Sequence, residues 1–161
     1  MIIRIGTHND LPFLEHMLFE AFFWNPDYPR PEVQKFMQHP EFRKLLSDWG
    51  RVGDKAVIAE ENETPIGAAW YRLWTAENHS YGFVDSETPE LGMAVRASHR
   101  GKGAGRMLLR GLIAAASEDG FRALSLSVDP SNFARQLYES EGFIKVGESG
   151  TSCTMKRNLC L

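Results

Sequence analysis

The chain has 161 residues and a mass of 18.2 kDa, with 43% apolar and 24% charged residues, the make-up of one folded domain and not of a disordered tract. Eighteen Lys and Arg against 21 Asp and Glu leave a net charge of -3, which argues against a broadly basic nucleic-acid-binding surface. No apolar run reaches the roughly 18 residues of a membrane span, residues 1–6 turn polar too soon for a secretory leader, and the two cysteines, Cys153 and Cys160, have neither zinc nor redox spacing; a cytoplasmic, reducing setting is expected.

Residues 2–5 predict a short edge strand. Thr7 and Asn9 both suit a cap, and Leu11, Leu14, Met17, Leu18, Ala21 and Phe22 recur at helical spacing, so a first helix is expected over 10–23. Pro26, Pro29 and Pro31 end it. Residues 32–49 read helical again, interrupted near Pro40 and stopped at Gly50. The middle is β-rich, with a strand at 56–60, a polar turn at 61–65, its partner at 66–73, a polar loop at 75–88 and a further strand at 90–95. A glycine-rich stretch at 101–105 leads into a helix over 106–119, on which Met107, Leu108, Leu112, Ala115 and Ala116 form one apolar face, closed by Gly120. Leu124, Leu126 and Val128 alternate with Ser125 and Ser127, which predicts a half-buried strand at 123–128. Asp129-Pro130 starts a helix expected to reach Glu141, with proline tolerated at its first position and Gly142 as the stop. Strands at 143–146 and 151–158 close the chain. The order β-α-α-β-β-β-α-β-α-β-β, without linker or repeat, predicts a single domain over 1–161 with a mixed sheet and helices packed on it.

The segment Arg96-Ala97-Ser98-His99-Arg100-Gly101-Lys102-Gly103-Ala104-Gly105-Arg106 lies between a strand and a helix. Glycines let a backbone approach a ligand closely, and the start of a helix offers unpaired N–H groups and the positive end of its dipole, so the pair makes an anion site. From Arg96 to Arg110 there are five Arg or Lys residues plus His99, and no carboxylate. In a chain of net negative charge that excess points to a phosphate-bearing ligand. The loop has neither the Gly-x4-Gly-Lys-Ser/Thr of a mononucleotide loop nor the Gly-x-Gly-x-x-Gly of a dinucleotide fold.

About 30 residues on comes Asn132-x-Ala134-x-x-Leu137-Tyr138-Glu139-x-x-Gly142-Phe143. With Arg100-Gly101-x-Gly103-x-Gly105 this pattern resembles the GNAT superfamily of acyl-CoA-dependent N-acetyltransferases, closely from Glu90 to Val146 and by element order over nearly the whole chain. Ala97 departs from the proline many members carry there, which alters stiffness and not donors. The resemblance implies an α/β (α+β) GNAT fold, a mostly antiparallel mixed sheet that splays at its centre, flanked by helices. It implies acetyl-CoA as cosubstrate, with no metal. The pyrophosphate would sit on the amides of Arg100, Gly101, Lys102, Gly103, Ala104 and Gly105, extending to Arg106. The pantetheine arm would run along Met93, Ala94 and Val95, and Asn132 occupies a coenzyme-contacting position. Gly92 marks either the distortion of that strand or a simple packing glycine.

Transfer to an amine needs a neutral nucleophile, donors for the developing oxyanion and help for the departing thiolate. Tyr138 holds the family's proton-donor position, although a tyrosine after Leu137 on a sheet-facing helix equally suits a core. Glu90 opens the strand that leads to the loop, where some relatives place a proton-accepting carboxylate; Asp85 and Glu87 compete for that role. Asn132 also suits a helix start in its own right. Acceptor candidates are Phe22, Phe23, Trp24 and Tyr28 after the first helix, Trp70 and Arg72 on a strand, and Tyr81 and Phe83 in the loop; such aromatics receive an apolar or cationic amine, or simply close a core. The cysteines sit away from the motif, which favours direct transfer in a ternary complex over an acyl-cysteine. The expected acceptor is a small-molecule or peptide amine, with no nucleic-acid or membrane partner, and the terminal strands suit pairing between two subunits. A non-catalytic acyl-CoA sensor would keep the loop but has no use for Tyr138.

Overall fold

A computed structural model describes residues 1–159; Cys160 lies outside the described residues. Seven strands form one sheet in the order β1-β2-β3-β4-β5-β7-β6. They are β1 (Ile2–Ile5), β2 (Lys55–Glu61), β3 (Thr64–Arg72), β4 (Glu90–Val95), β5 (Ala123–Val128), β6 (Ile144–Ser149) and β7 (Ser152–Asn158). The helices are α1 (Leu11–Phe22), α2 (Val33–Gln38), α3 (Pro40–Arg43), α4 (Ala104–Glu118) and α5 (Ala134–Ser140). All neighbouring strands pair antiparallel except β4 and β5, which are parallel. The expected element order and mixed sheet are therefore present.

Helices cover both faces of the sheet centre, so β2 and β3 are near-continuous apolar runs. On one face Leu14, Met17, Leu18 and Phe19 of α1 pack with Ile58, Trp70 and Ala94. On the other, Leu108, Leu109, Leu112 and Ala116 of α4 pack with Val57, Tyr71, Leu124 and Leu126, and Tyr138 and Phe143 join them. Gly111 lets α4 sit close to β1, because a Cβ there would meet Ile3 at 3.2 Å.

Three sequence expectations are corrected. Residues 32–49 hold only the short α2 and α3, with turns over 44–50, where Asp48 and Gly50 adopt positive φ. The helix expected from Asp129 starts at Ala134. Asp129 Oδ1 accepts the Ser131 N–H at 2.9 Å and Asn132 Oδ1 accepts the Ala134 N–H at 2.9 Å, so side chains hold the backbone in successive turns and Pro130 precedes the helix. The helix expected over 106–119 begins two residues earlier, at Ala104, and ends at Glu118.

Candidate active site

The two central strands part at their C-terminal ends. β3 and β4 pair along six residues, from Gly67↔Val95 to Arg72↔Glu90, whereas β4 and β5 share one bridge, Glu90↔Ser125. Arg96 N–H donates to Ile66 O, so by alternation Ala94, Gly92 and Glu90 spend their main-chain groups on β3. Val95, Met93 and Leu91 turn theirs toward β5, and beyond the bridge the strand is not there to receive them. Met93 and Val95 therefore offer backbone to the gap, while the Ala94 methyl packs on the α1 face of the sheet. A cleft of about 1120 Å³ opens at this splay, running from the end of α1 to the start of α4 and α5.

The glycine loop forms one end of the cleft. Gly101 and Gly103 have φ of 76° and 88°, and a Cβ on either would meet nothing within 4 Å. Gly105 differs: a Cβ there would lie 3.2 Å from Leu137, so it lets α4 approach α5. Among the described residues, no amide from Gly101 to Arg106 donates a hydrogen bond within the protein. Six consecutive free donors at the N-terminus of a 15-residue helix make an anion cradle. The Arg100 amide is already spent on Ala97 O at 3.4 Å, so the free run starts one residue later than expected. The Arg100 Nε donates to Val95 O at 3.0 Å and its guanidinium lies 3.7 Å from Glu20. Arg106 and Arg110 both pair with Glu141. Lys102 does not line the cleft, whereas Asn132 does, while also making its own turn.

Tyr138 lines the middle of the cleft. Its ring sits edge-on to Phe143, with centroids 5.8 Å apart, and burial pushes the phenol pKa up. Its hydroxyl makes no hydrogen bond to the described residues and so is free for a ligand.

Glu90 lines the other end. Its Oε2 accepts the Gly82 N–H at 3.1 Å, while its Oε1 is shielded from solvent and has no partner among the described residues. Burial pushes its pKa up to about 7, against the pull of the Gly82 amide, Ser80, His79 and Lys44. Gly82 allows this contact, because a Cβ there would lie 2.6 Å from the Leu126 carbonyl carbon; only a glycine lets the loop lie flat on β5. Ser125, the bridge partner of Glu90, also has a buried hydroxyl without a partner among the described residues. Arg72 is the cross-strand neighbour of Glu90, yet its guanidinium is bidentate to Asp54 at 2.9 and 2.8 Å and donates to Lys44 O at 3.1 Å.

Of the expected acceptor residues, Phe22, Trp24, Tyr28, Trp70, Arg72 and Tyr81 line the cleft, and Phe23 and Phe83 do not. Phe23 packs on Phe19 and Phe36, and Phe83 stacks on His79. The indole of Trp70 covers Gly92, where a Cβ would meet it at 2.8 Å; Gly92 is thus a packing glycine that makes room for an aromatic wall. Asp85 and Glu87 stand exposed outside the cleft, bonded to each other through a local turn. Sequence reasoning missed Phe42, Leu45, Trp74 and Ser80 in the wall. Among the described residues there is no cluster of three or more His, Cys, Asp or Glu that could hold a metal, and no helix long and apolar enough to cross a membrane.

The acetyltransferase (GNAT) family model matches residues 13–143 of the chain. Solved structures of the same fold cover nearly all of it. A ribosomal-protein-alanine N-acetyltransferase from Brucella melitensis is 25% identical with a TM-score of 0.69, covering 99% of this chain and 100% of its own. A PaiA N-acetyltransferase from Thermoplasma acidophilum, solved in complex with coenzyme A, is 19% identical with a TM-score of 0.73, covering 98% and 99%. A GNAT superfamily phosphinothricin acetyltransferase from Sinorhizobium meliloti, in complex with AcCoA, is 18% identical with a TM-score of 0.68, covering 98% and 88%. No curated protein sequence matches the chain.

Proposed function

The chain belongs to the acetyltransferase (GNAT) family, and on that premise we propose that it transfers an acetyl group from acetyl-CoA to a primary amine by direct attack, with Glu90 receiving the amine's proton and Tyr138 assisting the departing sulfur. The observation that carries this reading is the joining, in one cleft, of a cradle of free amides at 101–106 with a carboxylate that has no ion pair among the described residues. The cradle fits a diphosphate: it offers donors, open space beyond Gly101 and Gly103, and a helix dipole. The outward backbone of Met93 and Val95 fits an extended amide-bearing arm added at the strand edge. Acetyl-CoA supplies the activated acyl group.

The chain's own residues do the rest. An alkylammonium with a pKa of about 10 must lose a proton before it can attack. Glu90, poised at about pH 7 in a desolvated position, is a stronger base than an ordinary carboxylate and takes that proton at neutral pH. The unpaired Met93 amide serves as a donor for negative charge on the acyl oxygen. The Tyr138 phenol stays protonated in the resting site and donates to the sulfur as the carbon–sulfur bond breaks; the second proton shed by the nitrogen restores the phenol through solvent, and the proton on Glu90 is released, so the products are an amide, a thiol and one proton.

Thermal unfolding with and without acetyl-CoA tests the site. At 100 times the dissociation constant the expected stabilisation is about 2.7 kcal/mol. Thiol release on adding a primary amine tests the reaction. No stabilisation by acetyl-CoA would remove the cradle assignment and the transfer with it.

A further inference from the structure

We infer that the acceptor is a primary amine carried on an aromatic body with no carboxylate beside the nitrogen. This rests on the acetyl-transfer reading and names its second substrate class. Phe22, Trp24, Tyr28, Trp70, Trp74 and Tyr81 line the same cleft as Glu90, and Tyr81 precedes the Gly82 amide that Glu90 accepts. Trp70 and Glu90 are brought together by register: Trp70 pairs with Gly92, and Arg72 with Glu90, on the same sheet face. The wall is therefore aromatic where the amine must reach its base.

The cations near this end are already committed. Arg72 lines the cleft, but both of its Asp54 bonds and its bond to Lys44 O lie in a pair whose side chains are each 2% exposed. Arg100 is 3.7 Å and Arg30 2.6 Å from Glu20, so the two guanidiniums and that carboxylate satisfy one another. Lys44 donates to His79 O at 2.8 Å and is not part of the wall. Glu90 is the charged side chain of this end that has no ion pair among the described residues, and it is an acid. An amino-acid acceptor would bring a second carboxylate against it with no cation to receive it, and a buried unpaired charge is heavily disfavoured. A polyamine would need a further free anion for its second ammonium; Glu20 is taken, and Asp129 lies beyond the C-terminal end of β5, four residues past the Glu90 bridge partner Ser125, where it accepts from Ser131. An ammonium on an aromatic body matches the wall through ring faces and matches Glu90 through its proton.

The test measures thiol release by the purified protein with acetyl-CoA and matched acceptors: tryptamine against tryptophan, phenethylamine against phenylalanine, then spermidine, phosphinothricin and an Ala-terminated peptide. Rates are compared at equal concentrations of neutral amine, so that the carboxylate is the variable. The expected kcat/KM of each arylalkylamine exceeds that of its amino acid by on the order of 10- to 100-fold, and also exceeds that of spermidine and the peptide. Equal or faster turnover of the amino acids, or preference for spermidine, phosphinothricin or the peptide, overturns the acceptor class while acetyl transfer stands. No release with any acceptor overturns both.

Discussion

Arg72 and Glu90 face each other across β3 and β4, yet the Arg72 guanidinium turns to Asp54 and leaves Glu90 without an ion pair among the described residues. An arginine beside a carboxylate ordinarily holds it ionised and weakly basic. Here Asp54 draws the arginine away, and burial raises the carboxyl to about 7. The same turn residue also accepts the Gly50 and Arg51 amides, each at 2.9 Å, so its position is fixed by its own loop.

Glu90→Gln tests the base. Wild-type kcat/KM is expected to rise through about pH 7 as Glu90 loses its proton. The variant loses that limb and about 10²-fold in rate. Stability moves the other way. Between the ordinary glutamate value of 4.5 and about 7, folded Glu90 keeps a proton that the unfolded chain has released, so rising pH across this window lowers stability. The glutamine removes that penalty. Its melting temperature is expected to exceed wild type at pH 8 and to converge with it near pH 4.5, as scanning calorimetry at the two pH values will show. A variant less stable than wild type at pH 8 would contradict the desolvated carboxylate.

Asp54→Asn tests the turning of Arg72. Removing one partner of a buried pair costs about 3–5 kcal/mol, and the loss is expected in chemical denaturation. The freed guanidinium then lies beside Glu90 and lowers its pKa, so the rising limb of the pH profile moves to lower pH. An unmoved limb in a folded variant would mean that Arg72 does not reach Glu90.

Gly103 separates strain from charge at the cradle. It holds φ of 88° with open space around it. Gly103→Ala therefore costs about 1 kcal/mol of backbone strain with no clash. Gly103→Glu adds a carboxylate among the free amides and is expected to weaken acetyl-CoA binding at least tenfold more than the alanine does, by calorimetric titration. Equal affinities for the two variants would count against the diphosphate assignment.

Most of the fold was legible because its signals are local. β4 and β5 fall at their expected residues, since alternation and bounding turns are read within a few positions. The start of α5 was not, because Asp129 and Asn132 bond the backbone two residues on and compete with the helix that Pro130 suggested. The glycine loop and Tyr138 were legible as a spaced motif, as was Glu90 by position. The state of Glu90 was not. It depends on Asp54, 18 residues from Arg72 in sequence, and on Gly82 lying against β5, neither of which any local pattern encodes. Trp74 and Phe42 were missed for the same reason: Trp74 lies under Lys44 and Arg51 and Phe42 packs on Phe22 of α1, contacts between segments distant in sequence.

Tyr138→Phe removes a hydroxyl that bonds to none of the described residues, so folding stability should change by less than about 1 kcal/mol. Turnover should fall about 10²-fold with acetyl-CoA affinity unchanged. A single-turnover measurement keeps the chemical step in view. Unchanged chemistry would leave Tyr138 as a packing residue against Phe143.

Gly92→Ala addresses the acceptor wall without touching the cradle. A methyl group there would meet the Trp70 indole at 2.8 Å, and the indole must move because the β4 backbone is held by its pairing with β3. Trp70 is buried, 5% exposed, and has little free volume to turn into, so it is expected to shift toward the cleft. That narrows the acceptor end while Gly101, Gly103 and the free amides stay in place. The expected signature is a several-fold rise in KM for the amine, a small fall in kcat, and an unaltered dissociation constant for acetyl-CoA. Steady-state kinetics with the amine varied, beside a calorimetric titration of the coenzyme, reads the two ends separately. Loss of coenzyme affinity with amine KM unchanged would mean that Gly92 serves the strand that carries the acyl donor and that Trp70 is no part of the acceptor wall.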